Sequence, residues 1–227
     1  MGRRVSIRRR PAARWLVVAA LACLPGHAEP NLDRVEATAR HQYGESVAQR
    51  VHVWREMLAQ AGTQPEDTQL RTVNRFFNRS IQFSDDAIVW RQKDYWATPL
   101  ELFAKGAGDC EDFVIAKYLS LRLLGVADEK LRLIYVRAKI GGPQSSLSQA
   151  HMVLGYFPTP TAEPLVLDNL VGEILPAAQR PDLFPIFSFN SSGLWVRGDT
   201  RPKAGSVERL SRWRDLLSRL TAEGFEP

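Results

Sequence analysis

Apolar residues recur at helical spacing through the first half of the chain, then give way to short apolar, β-branched and aromatic runs. Val47, Val51, Trp54, Met57 and Leu58 form one stripe, and Leu70, Val73, Phe76 and Phe77 another, which predicts helices over 45–62 and 66–79. A further helix is predicted over 31–44, with Gly44 and Gly62 as stops. Thr98-Pro99 followed by Glu101 reads as a capped helix start, and that helix should end near Gly106. Between them, Asp85 and Asp86 either cap the turn over 87–90 or contribute to a site. The run Val114-Ile115-Ala116-Lys117-Tyr118-Leu119 predicts a buried central helix over 111–124, closed by Gly125.

Beyond Gly125 the pattern predicts strands over 131–137, 150–157 and 164–169, with a loop over 141–146. Edge strands are predicted over 182–189 and 194–197, then an amphipathic helix over 206–223 carrying Leu210, Trp213, Leu216, Leu217 and Leu220. No repeat or linker interrupts the order. It describes one α+β domain, with a helical N-terminal half packed on an antiparallel sheet.

Composition changes the picture at the N-terminus. The formal charge is +5, yet residues 1–28 hold six arginines and no acid, so the remaining 24 basic side chains face 25 acidic ones. The basic character belongs to the leader, which argues against nucleic-acid binding by the body. That leader has a basic start, an apolar run from Trp15 to Leu24 too short to span a bilayer, and small residues at Gly26 and Ala28. It is predicted to be a signal peptide over 1–28, cleaved before Glu29, leaving a mature domain over 29–227. Ala20-Leu21-Ala22-Cys23 is a poor lipidation signal. Loss of Cys23 leaves Cys110 alone in an exported chain, either buried and inert or kept for chemistry.

The surroundings of Cys110 favour chemistry. Asp109 is a good N-cap for the central helix, and Glu111 and Asp112 fall in its first turn. Cys110 is thereby placed at a helix start, which favours thiolate over thiol. His151 opens the predicted strand over 150–157, and Asp168 closes the one over 164–169. If those strands are antiparallel neighbours, the two side chains share one sheet edge beside the helix start. Thiol, imidazole and carboxylate form the set needed for nucleophilic catalysis. Each has an ordinary alternative: a packed cysteine, a structural histidine, and an Asp-Asn turn. His41 and His52 fall on the helical layer, away from other ligand types, and read as surface or packing residues.

The order Cys110, then His151 in Ala-His-Met-Val-Leu, then Asp168 in Val-Leu-Asp-Asn resembles the bacterial transglutaminase-like cysteine proteinases of the LapG type. Supporting segments are Asp85-Asp86, Asp94-Tyr95-Trp96-Ala97-Thr98-Pro99 with Glu101, the run from Gly106 to Asp112, and Asp182-Leu183-Phe184-Pro185 with Ser188-Phe189-Asn190. The resemblance covers residues 40–200. It implies a transglutaminase/papain-like fold, with Cys110 as nucleophile, His151 as general base and then acid, and Asp168 as the orienting carboxylate. The Cys110 N–H is a natural oxyanion donor, with Trp90 or Trp96 as a candidate second.

The resemblance also implies calcium dependence, with Asp109 and Glu111 as first-choice ligands and Asp112 as a third. Chemistry agrees, because carboxylates beside a thiol oppose its ionisation and a bound cation removes that penalty. Plain helix capping is the alternative. What the family further implies is a periplasmic endopeptidase that cuts a large cell-surface adhesin near its N-terminus, commonly at paired alanines, and releases cells from biofilm. An inner-membrane cyclic-di-GMP receptor is the implied partner, its periplasmic domain sequestering the protease. An acyltransferase or a non-catalytic binding module on the same fold are the rival expectations.

Overall fold

The computed structural model describes residues 1–2, 32–196 and 211–225. The predicted leader beyond its first two residues, the cleavage point before Glu29, and the expected start of the C-terminal helix at 206 lie outside the described residues. Helices α1 (Leu32–Tyr43), α2 (Glu45–Gly62) and α3 (Glu66–Ser80) form the first layer and bury the predicted stripes. Gly44 joins the first two in a left-handed conformation (φ 90°) that suits glycine. His41 and His52 are exposed on this layer, and His52 lies near Glu36 and Glu56, each at 3.5 Å.

The next segment folds back on itself. Strand β1 (Gln82–Phe83) leads into the short helix α4 (Asp86–Val89). Helix α5 (Pro99–Lys105) starts with the predicted capping box between Thr98 and Glu101. It ends at Gly106 in a left-handed conformation (φ 67°), and β2 (Ala107–Gly108) follows. Strand β2 pairs in parallel with β1, and the Ser84 N–H donates to the Gly108 carbonyl at 2.9 Å. This pairing sets the Asp85-Asp86 turn against the residues that precede the nucleophile.

Helix α6 (Cys110–Leu123) begins one residue before the predicted start and ends one residue before the predicted end. Every residue from Asp112 to Leu121 is buried, because α3 and α5 pack on one side of the helix and the sheet on the other. Trp54 of α2 donates its indole N–H to Ser120 Oγ at 2.9 Å, so a polar residue of this buried helix has its partner.

The six-stranded sheet runs β6-β5-β4-β3-β7-β8, every neighbouring pair antiparallel. Its strands are β3 (Leu131–Lys139), β4 (Ser148–Tyr156), β5 (Leu165–Leu167), β6 (Leu175–Pro176), β7 (Leu183–Phe189) and β8 (Leu194–Val196). Three sequence expectations need correction. Strand β7 is interior, paired with β3 on one side and β8 on the other, because both of its flanks find a partner. Strand β4 starts at Ser148, since β3 pairs with it along the whole length from Leu131↔Tyr156 to Lys139↔Ser148. Strand β6 was not foreseen, and Pro176 suits its place at the sheet edge. Leu133, Met152 and Leu154 face the main core, whereas Ile134, Val136 and Val153 belong to a second apolar cluster. Burial on both faces explains why these strands read as continuous apolar runs.

Helix α7 (Ser211–Glu223) returns to the helical layer through Trp213, Leu216 and Leu220. It braces the loop before α5, where Thr98 donates to Glu223 Oε1 at 2.8 Å and Arg219 donates to the Trp96 carbonyl at 2.7 Å. Among the described residues no helix is long and apolar enough to cross a membrane.

Candidate active site

Cys110 is the first residue of α6, and Asp109 is its N-cap, as the sequence predicts. Asp109 accepts from the Glu111 N–H at 3.2 Å, while Asp112 accepts from the Asp109 N–H at 3.3 Å, a reciprocal cap. The thiol is 9% exposed and donates to Glu111 Oε2 at 2.7 Å. Burial pushes the Cys110 pKa up, and the charges of Glu111 and Asp109 push it further. The backbone amide of Met152, the residue after His151 on β4, pulls the other way. The helix start alone predicts an acidic thiol; the neighbouring carboxylates outweigh it.

His151 is the fourth residue of β4 rather than its opening residue, and 2% of it is exposed. Strands β4 and β5 are antiparallel neighbours, as the expectation required, with Leu154 opposite Leu167. Asp168 therefore follows the last paired residue of β5, and its Oδ1 lies 2.8 Å from His151 Nε2. That contact leaves Nδ1 as the nitrogen free to take a thiol proton. Asp168 Oδ1 also accepts from the Leu170 N–H at 3.1 Å, and Oδ2 from Arg180 Nη2 at 2.8 Å. Burial alone would raise the Asp168 pKa. The hydrogen bonds from His151, Leu170 and Arg180 prevail and hold it at about 2.

On the other side of Cys110 the acids gather. One oxygen each from Asp86, Asp109 and Asp112 lie within 4.8 Å of one another, and Asp109, Cys110 and Glu111 form a second such group. Burial and the mutual repulsion of Glu111, Asp112 and Asp86 push Asp109 up to about 9. Burial likewise pushes Asp112 to about 8 and Asp86 to about 6. Asp112 is committed in part to the backbone, accepting from the Ala97 N–H at 2.7 Å. Glu111 Oε1 accepts from Tyr135 OH at 3.1 Å. Asp86 accepts from the Tyr95 N–H with one oxygen, while its Oδ1 is buried without a partner. A cluster of oxygens that includes an orphaned one suits a hard divalent cation.

Of the six residues singled out in the sequence, Asp109, Glu111 and Asp112 gather around Cys110 at the start of α6, and His151 pairs with Asp168 across β4 and β5. The sequence left Asp86 between a capping and a site role. Its side chain makes no cap bond and joins the acidic group. Arg180 and the buried Lys117 were not foreseen. Lys117 Nζ has no hydrogen-bond partner and adds positive charge near Asp168, while burial pulls its own pKa down to about 7. A lysine inside an apolar helix was the visible signal for it; nothing local marks Arg180. Trp90 packs tilted against Tyr95 and Trp96 stacks on Phe189, and among the described residues neither buried indole nitrogen has a hydrogen-bond partner.

Comparison with known proteins agrees with this geometry. The family model of the bacterial transglutaminase-like cysteine proteinases matches residues 40–197. LapG of Legionella pneumophila in its EGTA-treated form superimposes with a TM-score of 0.73 at 36% identity, over 83% of this chain and 97% of that one. Its calcium-bound form gives 0.71 at 37% identity, over 83% and 98%. No curated protein gives a significant sequence match. The matched model spans Cys110, His151 and Asp168 and most of the described fold, and the chain belongs to the bacterial transglutaminase-like cysteine proteinases.

Proposed function

We propose that this proteinase is a calcium-dependent endopeptidase of the periplasm in which Cys110, His151 and Asp168 carry the reaction. The observation that supports it most is the His151–Asp168 pair at 2.8 Å beside a helix that starts at Cys110. In acylation the Cys110 thiol passes its proton to His151 and the sulfur bonds to the scissile carbonyl carbon. The carbonyl electron pair moves to oxygen, within reach of the Cys110 N–H at the helix start. Collapse breaks the C–N bond, and His151 returns the proton to the departing amine. His151 then takes a proton from water, whose oxygen attacks the thioester and frees the thiol. Asp168 keeps Nε2 engaged throughout, so that Nδ1 faces the chemistry.

Asp109, Glu111, Asp86 and Asp112 are the residues that would hold calcium. The ion would supply positive charge against the carboxylates that oppose thiol ionisation. The likeness to a calcium-bound LapG supports this choice of metal. The substrate we propose is a large surface adhesin cut in its N-terminal region, with release from biofilm as the outcome. The proposed regulator is the periplasmic domain of an inner-membrane cyclic-di-GMP receptor.

Purified mature protein should be incubated with N-terminal fragments of the large adhesins encoded in the same genome, with calcium or with chelator. One calcium-dependent cut, lost in Cys110→Ala, is expected; intact fragments under every condition would overturn the substrate. A primary amine added to the assay separates hydrolysis from acyl transfer, since an acyltransferase would join the amine to the new C-terminus.

A further inference from the structure

We infer that Arg180 is a positioning residue of the reaction, holding Asp168 in the orientation that aligns His151. The inference rests on the reading of Asp168 as the orienting carboxylate. The two oxygens of that carboxylate are held differently. Oδ1 meets His151 Nε2 at 2.8 Å and accepts from the Leu170 N–H at 3.1 Å. Oδ2 has one hydrogen bond, from Arg180 Nη2 at 2.8 Å. The Asp168 backbone is pinned separately, its carbonyl accepting from Asn78 Nδ2 at 2.8 Å. Rotation of the carboxylate about its last torsion is therefore limited on the Oδ2 side by Arg180.

Arg180 is itself fixed. It donates through Nε to Asp182 Oδ1 at 3.0 Å and through Nη2 to Asp182 Oδ2 at 2.8 Å, a two-point grip that a guanidinium makes and an ammonium does not. The Asp182 carbonyl accepts from the Lys139 N–H of β3 at 2.9 Å. A polar chain thus runs from β3 through Asp182, Arg180 and Asp168 to His151 on β4. Its members sit on loops and strands that the sheet already holds in register.

Arg180 is 5% exposed, and among the described residues its Nη1 is buried without a partner. Among the described residues, the charged groups around Asp168 are His151 from β4, Arg180 and Asp182 from the turn before β7, and Lys117 from α6. Of the two buried cations, Arg180 alone makes a hydrogen bond to the carboxylate. Among the described residues no hydrogen bond or ion pair joins Arg180 to Cys110 or His151, so it acts through Asp168.

The test uses mature, calcium-saturated protein and the peptide substrate, comparing Arg180→Gln and Arg180→Lys, each alone and with Asp168→Asn. Arg180→Gln should lower kcat about 10- to 100-fold with KM nearly unchanged. Arg180→Lys, which keeps the charge and loses the fork, should recover part of that loss. In the Asp168→Asn background Arg180→Gln should cost no more than about a further twofold, because residues acting as one unit are not additive.

Wild-type kcat in a folded Arg180→Gln, or an equal loss with and without Asp168→Asn, would overturn the inference. If Arg180→Gln does not fold, Arg180→Lys decides by the same two criteria. Cys110→Ala is the separating control: continued cleavage by that variant defeats the proteinase reading itself, whatever Arg180 does.

Discussion

Two carboxylate environments flank one thiol, and they are electrostatic opposites. Asp168 is buried among donors and cations, and its pKa is held at about 2. Half-buried Asp109 and buried Asp112 crowd one another and Asp86, and their pKa values rise to about 9 and about 8. Burial disfavours charge in both places, so the difference lies in the partners. The base arm of the site is complete with protein atoms alone: each Asp168 oxygen has a donor and the histidine has its acceptor. The nucleophile arm gathers carboxylates instead, with Asp109, Glu111 and Asp112 around Cys110. Its thiol is spent on a hydrogen bond to Glu111, and Asp86 Oδ1 has no partner. On the proposed reading the two arms have different duties, one completed by protein side chains and the other served by calcium.

The hardest test of that contrast removes the shared chemistry. Cys110→Ala and His151→Ala should each lower kcat/KM by about 10⁴-fold or more and to a similar extent, because they act as one unit. Asp168→Ala should be as inactive and also less stable by about 1–3 kcal/mol, since it removes one of the two carboxylates paired with Arg180 and leaves the buried His151 without its acceptor. Asp168→Asn is the better probe of catalysis. Cleavage assays read alongside thermal melting separate the two effects, and robust turnover by Cys110→Ala would undo the assignment.

Metal removal should strike the nucleophile arm alone. A chelator should suppress cleavage, and calcium should restore it better than magnesium, which demands tighter geometry and sheds water reluctantly. Calcium at about 100 times its dissociation constant should add about 2.7 kcal/mol of stability. The pH dependence separates the arms. A carboxyl whose pKa rises on folding binds more protons when native, so its contribution to stability falls as pH climbs. In metal-free protein this loss should run from near 3.8, the ordinary value, up to about 8 and 9 for Asp112 and Asp109. Asp168 has the opposite sign: its stabilisation is present above 3.8 and lost as pH drops toward about 2. Melting temperatures from pH 4 to 9 should slope downward without metal and flatten with calcium. Identical slopes would remove the need for a cation.

Gly108→Ala should disturb the same arm through packing. An added Cβ would meet Asp112 Oδ2 at 2.5 Å and Leu102 Cδ1 at 2.7 Å, so the cap beneath Cys110 must shift. About 1–3 kcal/mol of destabilisation is expected from such overpacking. A melting temperature unchanged from wild type would show that the turn yields freely.

The smallest effect is the most discriminating. Asp86→Asn removes one charge from the acidic group and can keep the bond from the Tyr95 N–H. It should weaken calcium uptake by about tenfold while raising the stability of metal-free protein slightly, through relief of repulsion. Calorimetric titration and melting of stripped protein read the two directions. If both fall together, Asp86 is a structural cap rather than a ligand.

Much of the fold was legible in the chain. The helix stripes, the capping box at Thr98 and the N-cap at Asp109 depend on neighbours within four residues, and these appear where the pattern placed them. Strand existence was legible too, but strand rank was not. The run over 182–189 looked like an edge and became β7, flanked on both sides, because pairing is chosen among all exposed strand edges at once. Cys110, His151 and Asp168 could be named from residue type, and the family resemblance ordered them.

What the sequence determined by itself was local: which segments are helices and strands, which residue starts the central helix, and which side chains have the chemistry of a thiol proteinase. The tertiary structure decided the company each charge keeps. The parallel β1–β2 pairing brings Asp86 to Asp109, 23 positions further along the chain. The β4–β5 register sets Asp168 beside His151, and the turn before β7 carries Arg180 to Asp168. A carboxylate's protonation depends on groups within a few ångströms in space, and the chain order does not carry that distance. Two aspartates of equal intrinsic acidity therefore shift in opposite directions, Asp168 downward among its donors and Asp109 upward among its fellow carboxylates.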